Sequence, residues 1–313
     1  MPRPLPIVID CDPGRDDAIG LLAALGSPDD LEVRGITTVA GNVPLALTTI
    51  NALKMCELAS RTDVRVFAGC SRPMLRPLYT AEYVHGPTGI DGADLPEPTT
   101  AVGDQHGVDF LIDAFLPADP GEVTLCTFGP LTNVGMAMIK EPSIIDRIAE
   151  VVMMGGGYFE GGNTTPAAEF NIYVDPHAAH VVFSSGVPIT MMPLDVTHKA
   201  LSSKARIDSF RQLGSAAGDA AVGMLDYFDR HDIDKYGFEG GPLHDPCVIA
   251  YLLKPEIFEG KRCHVEVVTE GPAVGATLVD WWGVTDREPN ALVMNEMDSD
   301  AFYALLTERI GRL

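Results

Sequence analysis

The sequence predicts an α/β fold: an open, mainly parallel central sheet with helices on both faces, and a small antiparallel addition near the C-terminus. Three observations carry this. Apolar runs of strand length recur along the chain and are nearly continuous, the pattern of strands buried on both faces. Segments of helical period separate them, as crossovers between parallel strands require. A chain of 313 residues with 46% hydrophobic content can bury a full core of this kind.

Taken in order, PIVIDC (6–11) is the first strand, with helix-like sequence at 16–25. LEVRGITTV (31–39) precedes a helical segment at 44–60, and VRVFAG (64–69) follows it. EVTLCTF (122–128), EVVMMGG (150–156) and VPITMMPL (187–194) are further strands, with helices at 106–116, 130–139 and 176–185. Segments 203–213, 215–230 and 246–253 read as helices. HVEVVTE (264–270) and GATLVDWW (275–282) flank a Gly-Pro turn and predict an antiparallel hairpin. Two irregular stretches, 71–105 and 231–243, are rich in Gly, Pro, His and Tyr. Loops of that length in a compact domain are usually lids or disordered segments, and lids are the expectation here. With no repeat and no linker-like shift in composition, the expectation is one domain over 1–313, with lids at about 71–105 and 226–243.

Charge narrows the function. Lys and Arg number 22 against 44 Asp and Glu, so the formal charge is 22 − 44 = −22. Such a field repels polyanions and argues against nucleic acid or an anionic membrane as partner; a small neutral substrate or a cation suits it. No apolar run reaches the roughly 18 residues of a membrane span. The opening MPRPLPIVID is too short and too acidic for a secretory signal. Six scattered cysteines without a C-x-x-C pair read as reduced thiols, so a cytoplasmic protein is expected.

The chemistry gathers at PIVIDCDPGRDDAIGLL, where Asp10, Asp12, Asp16 and Asp17 fall in eight positions. Asp10 and Asp12 close a buried strand, Pro13-Gly14 turns the chain, and Asp16-Asp17 open a helix. Ligands of open parallel sheets bind at this carboxyl rim. A helix dipole favours an acid by roughly 0.3–1 kcal/mol. Two carboxylates about 4 Å apart repel by roughly 4 kcal/mol at an effective dielectric near 20. The dipole loses, so either protons or a hard cation must sit among them. An EF-hand does not fit, because Gly14 and Leu21 stand where ligands belong. No Walker loop is present. A D-x-D phosphatase fits poorly with PGRDD as the continuation.

Further candidates lie downstream. In AEFNIYVDP (168–176), Glu169 and Asn171 alternate on what reads as an extended segment, one face of which suits two sugar hydroxyls. In LHDPCVIAY, Asp245 and Pro246 have the pattern of an N-cap and N1, which leaves His244 unexplained. Asn42 and Thr127 each follow a strand and so share the rim; plain turn chemistry explains either one alone. His85, Tyr227, His231 and Tyr236 lie in the two lid stretches.

DCDPGRDDAIGLL, TTVAGN, TFGPLTN, VVMMGGG, AEFNIYVDP and LHDPCVIAY, in this order, resemble the inosine-uridine-preferring nucleoside hydrolases, and the resemblance covers essentially the whole chain. It implies hydrolysis of the N-glycosidic bond of ribonucleosides to ribose and free base, with a tightly held Ca²⁺. Matched residue by residue, it implies that the ion is bound by the carboxylates of Asp12, Asp17 and Asp245 and the backbone carbonyl of Thr127. Asp12 matches the general base acting on a Ca²⁺-bound water, and His244 the acid that assists the departing base. Asp16, Asn42, Asn163, Glu169 and Asn171 match ribose contacts, as does Asp245; Met154 matches an apolar contact beneath the sugar. His85 matches a base-pocket histidine, and Asp10 a support for the turn. The family forms homodimers or homotetramers, so one of these is expected. A phosphomonoesterase is opposed by the missing basic clamp, and a non-catalytic nucleoside-binding protein by Asp12 and His244.

Overall fold

The computed structural model describes residues 3–237 and 239–313, the side chains of 228–236 excepted. Strand β1 (Leu5–Cys11) is buried from Pro6 onward. It turns at Pro13-Gly14 into α1 (Arg15–Leu25), every residue of which is buried. β2 (Leu31–Thr38), α2 (Leu45–Leu58), β3 (Val66–Ala68), α3 (Glu82–His85) and α4 (Gly107–Phe115) follow. Next come β4 (Val123–Thr127), α5 (Thr132–Lys140), β5 (Ile148–Met154), α6 (Phe170–Val174), α7 (Pro176–Ser184) and β6 (Ile189–Met192). The chain continues with α8 (Leu194–Thr197), α9 (Lys204–Arg211), α10 (Ala216–Tyr236) and α11 (Pro246–Leu253). It ends with β7 (Phe258–Cys263), β8 (Val265–Val267), β9 (Thr277–Val279), β10 (Ala291–Met297) and α12 (Ser299–Ile310).

Eight strands form one sheet in the order β3-β2-β1-β4-β5-β6-β10-β7. All neighbours are parallel except β10 and β7. Strand alternation divides the core. Ile7, Ile9 and Cys11 of β1 pack with the apolar residues of α1, α11 and α12, while Val8 packs with α4, α5 and α7. The helices therefore cover both faces, as the continuous apolar strands require. β8 and β9 make the expected antiparallel hairpin.

The chain runs outward from β1 through β2 to β3, then returns to β4 and runs the other way. The order reverses between β1 and β4, and ligands of open α/β sheets bind outside the carboxyl ends of strands at such a point. There Asp10 stands in register with Thr37 of β2 and Thr127 of β4. Ile19, Leu21, Leu22 and Leu25 of α1 are fully buried or nearly so. At about 1.5–3 kcal/mol each, they offset the crowding of acids at that helix's first turn.

Three expectations need correction. Glu169 and Asn171 do not lie on an extended segment: Phe170–Val174 is a short helix that Glu169 caps. The helix expected over 215–230 continues to Tyr236, because nothing in DRHDIDKY breaks it before Gly237. β7, β10 and α12 were absent from the sequence reading. FEGKRC of β7 is exposed at its four central residues, as suits a charged edge strand. The six cysteines are unpaired and five of them are buried. Among the described residues no helix is long and apolar enough to cross a membrane.

Candidate active site

The aspartate turn is held from several sides. Asp17 accepts from the backbone N–H groups of Asp12 (3.1 Å) and Gly14 (3.0 Å), closing the turn on itself. Asn42, beyond β2, donates its backbone N–H to Asp12 Oδ2 (2.7 Å). Its amide donates to the Asp12 carbonyl and to Asp17 Oδ2, both at 3.1 Å. Gly41 and Gly129 flank the Asp12 carboxylate. A Cβ on Gly41 would stand 2.0 Å from Oδ2, and one on Gly129 would stand 2.2 Å from Oδ1. Asp10 lies behind, accepting from the Thr37 hydroxyl and from Asn133 Nδ2 (2.7 Å), so it ties β1 to β2 and α5.

Carboxylate oxygens of Asp16, Asp17 and Asp245 lie within 4.8 Å of one another, all three residues buried. Asp12 adjoins them through Asp17 and Asn42. Burial, and then the charge of Asp17, raises Asp12 well above the usual carboxylate range. The same two causes bring Asp16 to about 7. Burial and the charge of Asp16 raise Asp245, and burial raises Asp17. Asp12 Oδ1 and Asp16 Oδ1 are buried and make no hydrogen bond among the described residues. Asp245 occupies the N-cap position of α11 with Pro246 at N1, but its side chain makes no capping bond; it joins the acids instead. Simple capping, an adequate reading of Asp245-Pro246 in sequence, therefore does not account for this carboxylate. Crowded acids with orphaned oxygens are the donor set of a hard divalent cation, and all-oxygen ligands select the calcium and magnesium class. Thr127, at the end of β4, is buried, and its hydroxyl is likewise unbonded among the described residues.

A cavity opens over these acids. Asp16, Asn42, Asn163, Glu169, Asn171 and Asp245 line it, with Met154 and Phe128. The Glu169 carboxylate accepts from Asn171 N (2.9 Å), Gly156 N (2.9 Å) and Ile172 N (3.3 Å). Burial nevertheless lifts it to about 7. Asn171 donates to the Phe128 and Met154 carbonyls at the ends of β4 and β5, at 2.6 and 3.3 Å. That leaves its amide oxygen as an acceptor toward the cavity. Asn163 Oδ1 accepts from Phe170 N (2.9 Å), which fixes the loop before α6.

Histidines and aromatics line it as well: Tyr83, His85, Phe170, His198 and His244. His244 Nδ1 is 2.7 Å from the Thr197 hydroxyl. Burial, then His198 and His85, hold this imidazole well below its ordinary pKa and hence neutral. His198 pairs through Nδ1 with Glu160 (3.1 Å), and its ring centroid is 5.8 Å from that of His244. Asp195 accepts from the backbone N–H groups of Tyr158, Phe159 and Glu160 and so fixes the loop that carries Glu160. His85 Nδ1 accepts from Arg15 N (3.3 Å), which puts the proton of the neutral ring on Nε2.

The structure thus brings nine of the sequence candidates to one cavity, with Asp12 and Asp17 beside the Asp16 and Asp245 that line it and Asp10 behind the turn. The side chains of His231 and Tyr236 lie outside the described residues. Tyr227 is half-exposed and stacks on Arg15. Sequence reasoning missed His198, Tyr83 and Phe170. His198 had a usable signal: like Asn42 and Thr127, it follows a parallel strand and belongs to the same rim.

A family model described as inosine-uridine preferring nucleoside hydrolase matches residues 7–304. A pyrimidine-specific ribonucleoside hydrolase RihA of Salmonella typhi is 46% identical over 308 residues, covering 98% of both chains. An uncharacterized protein of Schizosaccharomyces pombe is 48% identical over 308 residues, covering 98% of this chain and 99% of that one. Among solved structures, a purine-preferring ribonucleoside hydrolase from Gardnerella vaginalis superposes with a TM-score of 0.91 at 31% identity, covering 98% of each chain.

Proposed function

Because the chain belongs to the inosine-uridine preferring nucleoside hydrolase family, and is accordingly a ribonucleoside hydrolase, we propose that it cleaves pyrimidine ribonucleosides by a Ca²⁺-dependent route. The observation that carries this is the buried acid cluster, with two orphaned carboxylate oxygens, opening onto a cavity that three histidines also line. Preference for pyrimidines rests on the RihA relative, closer in sequence than the purine-preferring structure.

In this reading Asp12, Asp17 and Asp245, with the Thr127 carbonyl, would hold the ion, and Asp16, whose carboxylate lies within 4.8 Å of those of Asp17 and Asp245, would serve the sugar. When bound, Ca²⁺ supplies Lewis-acid help to the attacking water and oxygen affinity for the ribose diol. Asp12 takes the proton of that water. Oδ2 is fixed by the Asn42 N–H, and Oδ1, without a protein donor, is the atom that receives the proton. Asp16, Asn42, Asn163, Glu169 and Asn171 hold the ribose hydroxyls over Met154. The surrounding carboxylates favour the positive charge that builds on the sugar as the glycosidic bond breaks. His244 serves the leaving base. The tautomer this role requires accepts at Nδ1 from the Thr197 hydroxyl, 2.7 Å away, and carries its proton on Nε2, a donor to the base as negative charge develops there. A deoxyribose lacks one of the hydroxyls that these groups expect and is rejected.

The enzyme is read as one cytoplasmic domain assembled as a homodimer or homotetramer. The test is ribose release by the purified chain, with Ca²⁺, from uridine, cytidine and inosine, and phosphate release from a phosphomonoester. Ribose is expected from the pyrimidine nucleosides first and no phosphate at all. Absence of ribose from every nucleoside would overturn the reading, and a faster rate with inosine would overturn the base preference.

A further inference from the structure

One buried charge beside the acid cluster is directed elsewhere. Arg15 lies between Gly14 and Asp16 and is 1% exposed. Its Nε donates to the Asp91 carbonyl (2.9 Å) and Nη1 to the Val84 carbonyl (2.7 Å). The Tyr227 ring covers the guanidinium at 3.9 Å. The backbone N–H of the same residue donates to His85 Nδ1.

These contacts lie in a wider clamp. Ala81 N–H donates to the Asn42 carbonyl (2.9 Å). Asn51 Nδ2 bridges the carbonyls of Pro13 (2.9 Å) and Thr88 (2.8 Å). Gly92 and Gly223 meet backbone to backbone, since a Cβ on either would stand 2.2 Å from the other's carbonyl oxygen. Segment 81–92 is thus pressed between the aspartate turn and α10, and Arg15 is the side chain that touches all three. From this segment Tyr83 and His85 line the cavity.

We propose that Arg15 is a positioning residue for the nucleobase: it locks the wall formed by residues 81–92 and the Gly223–Tyr227 stretch of α10 onto the turn that carries the acids. The proposal rests on the reading of Tyr83 and His85 as part of the base pocket. A buried guanidinium is a poor choice for stability alone, since burying charge is costly and an apolar side chain of similar size is often as stable. Nη2 makes no hydrogen bond among the described residues, which adds to that cost. What an apolar side chain lacks is the fixed fork that takes two carbonyls at once while its face stacks on an aromatic ring. Lysine has the charge without the fork.

The test compares the full-length wild type with Arg15→Met, Arg15→Lys and Tyr227→Leu. The readouts are KM and kcat for uridine, inhibition by free ribose, thermal melting, and hydrogen exchange of segment 81–91. For Arg15→Met, KM is expected to rise about tenfold or more, while kcat changes by about threefold at most and the ribose inhibition constant by about twofold at most. The melting temperature should stay close to wild type, and exchange in 81–91 should accelerate while that in 163–172 does not. Arg15→Lys and Tyr227→Leu should fall between. An unchanged KM in Arg15→Met, or a parallel loss of ribose and uridine affinity, would overturn the proposal. Should Arg15→Met fail to fold, Arg15→Lys and Tyr227→Leu decide by the same readouts. Should the wild type release no ribose, the functional reading fails, and hydrogen exchange alone then decides the clamp: faster exchange in 81–91 upholds it, unchanged exchange ends it.

Discussion

Gly129→Ala probes the placement of Asp12 without touching its chemistry. Neither Gly129 nor Gly41 has a backbone conformation that demands glycine, so an alanine adds only a methyl group. At Gly129 that methyl group would stand 2.2 Å from Asp12 Oδ1 and 2.7 Å from Cγ, where real Cβ contacts begin near 3.0 Å. The carboxylate must retreat by about 0.8 Å. It cannot do so freely, because Asn42 N–H holds Oδ2 and Gly41 closes the opposite side. A misplacement of roughly 1 Å in a reacting group costs about 10²-fold in rate, equivalent to about 2.7 kcal/mol of barrier. The assay is kcat for ribose release from uridine at saturating Ca²⁺, with the melting temperature recorded in wild-type and Asp12→Ala backgrounds. Gly129→Ala should lower kcat by about two orders of magnitude. Its destabilisation should largely vanish once the Asp12 carboxylate is gone. A kcat within about threefold of wild type would refute the reasoning.

Asp12→Asn keeps the shape and the Asn42 bond but removes the base; uridine should still bind while kcat falls by about 10²–10⁴-fold, and near-normal turnover would remove Asp12 from that role. His244→Ala should slow uridine by about 10²-fold and p-nitrophenyl riboside far less, since that leaving group needs no proton; equal losses would refute the leaving-group role. Burial raises Glu169 from its ordinary 4.5 to about 7. The unfolded chain therefore loses this proton first, and stability falls by up to about 3 kcal/mol as pH rises from roughly 4.5 to 7. In calcium-free buffer Glu169→Gln should gain on the wild type in melting temperature across that window; a difference independent of pH would show that the group is not raised.

The parallel half of the fold was legible because its strands are buried on both faces and so leave continuous apolar runs, PIVIDC and VTLCT among them. The C-terminal part was not. β7 carries Glu259, Lys261 and Arg262 at exposed positions, and an edge strand with one solvated side shows neither an apolar run nor clean alternation. α6 was misread because FNIYV is rich in β-branched and aromatic residues. What fixes it as a helix is a cap from Glu169, whose oxygens also reach Gly156, a contact with no local signature. In the site, the acids were legible because their mutual repulsion has no local remedy. His198 and Tyr83 were not, because each looks ordinary until the sheet order and the clamp on segment 81–92 bring them to the cavity of His244.

Calcium binding to the chelator-stripped chain, followed by isothermal titration calorimetry, bears most directly on the buried acids. One site per chain is expected, and Asp17→Asn should weaken it by about 10²-fold or more, since that carboxylate adjoins Asp12, Asp16 and Asp245. No heat of binding, or an affinity that Asp17→Asn leaves unchanged, would contradict a cation held by this cluster.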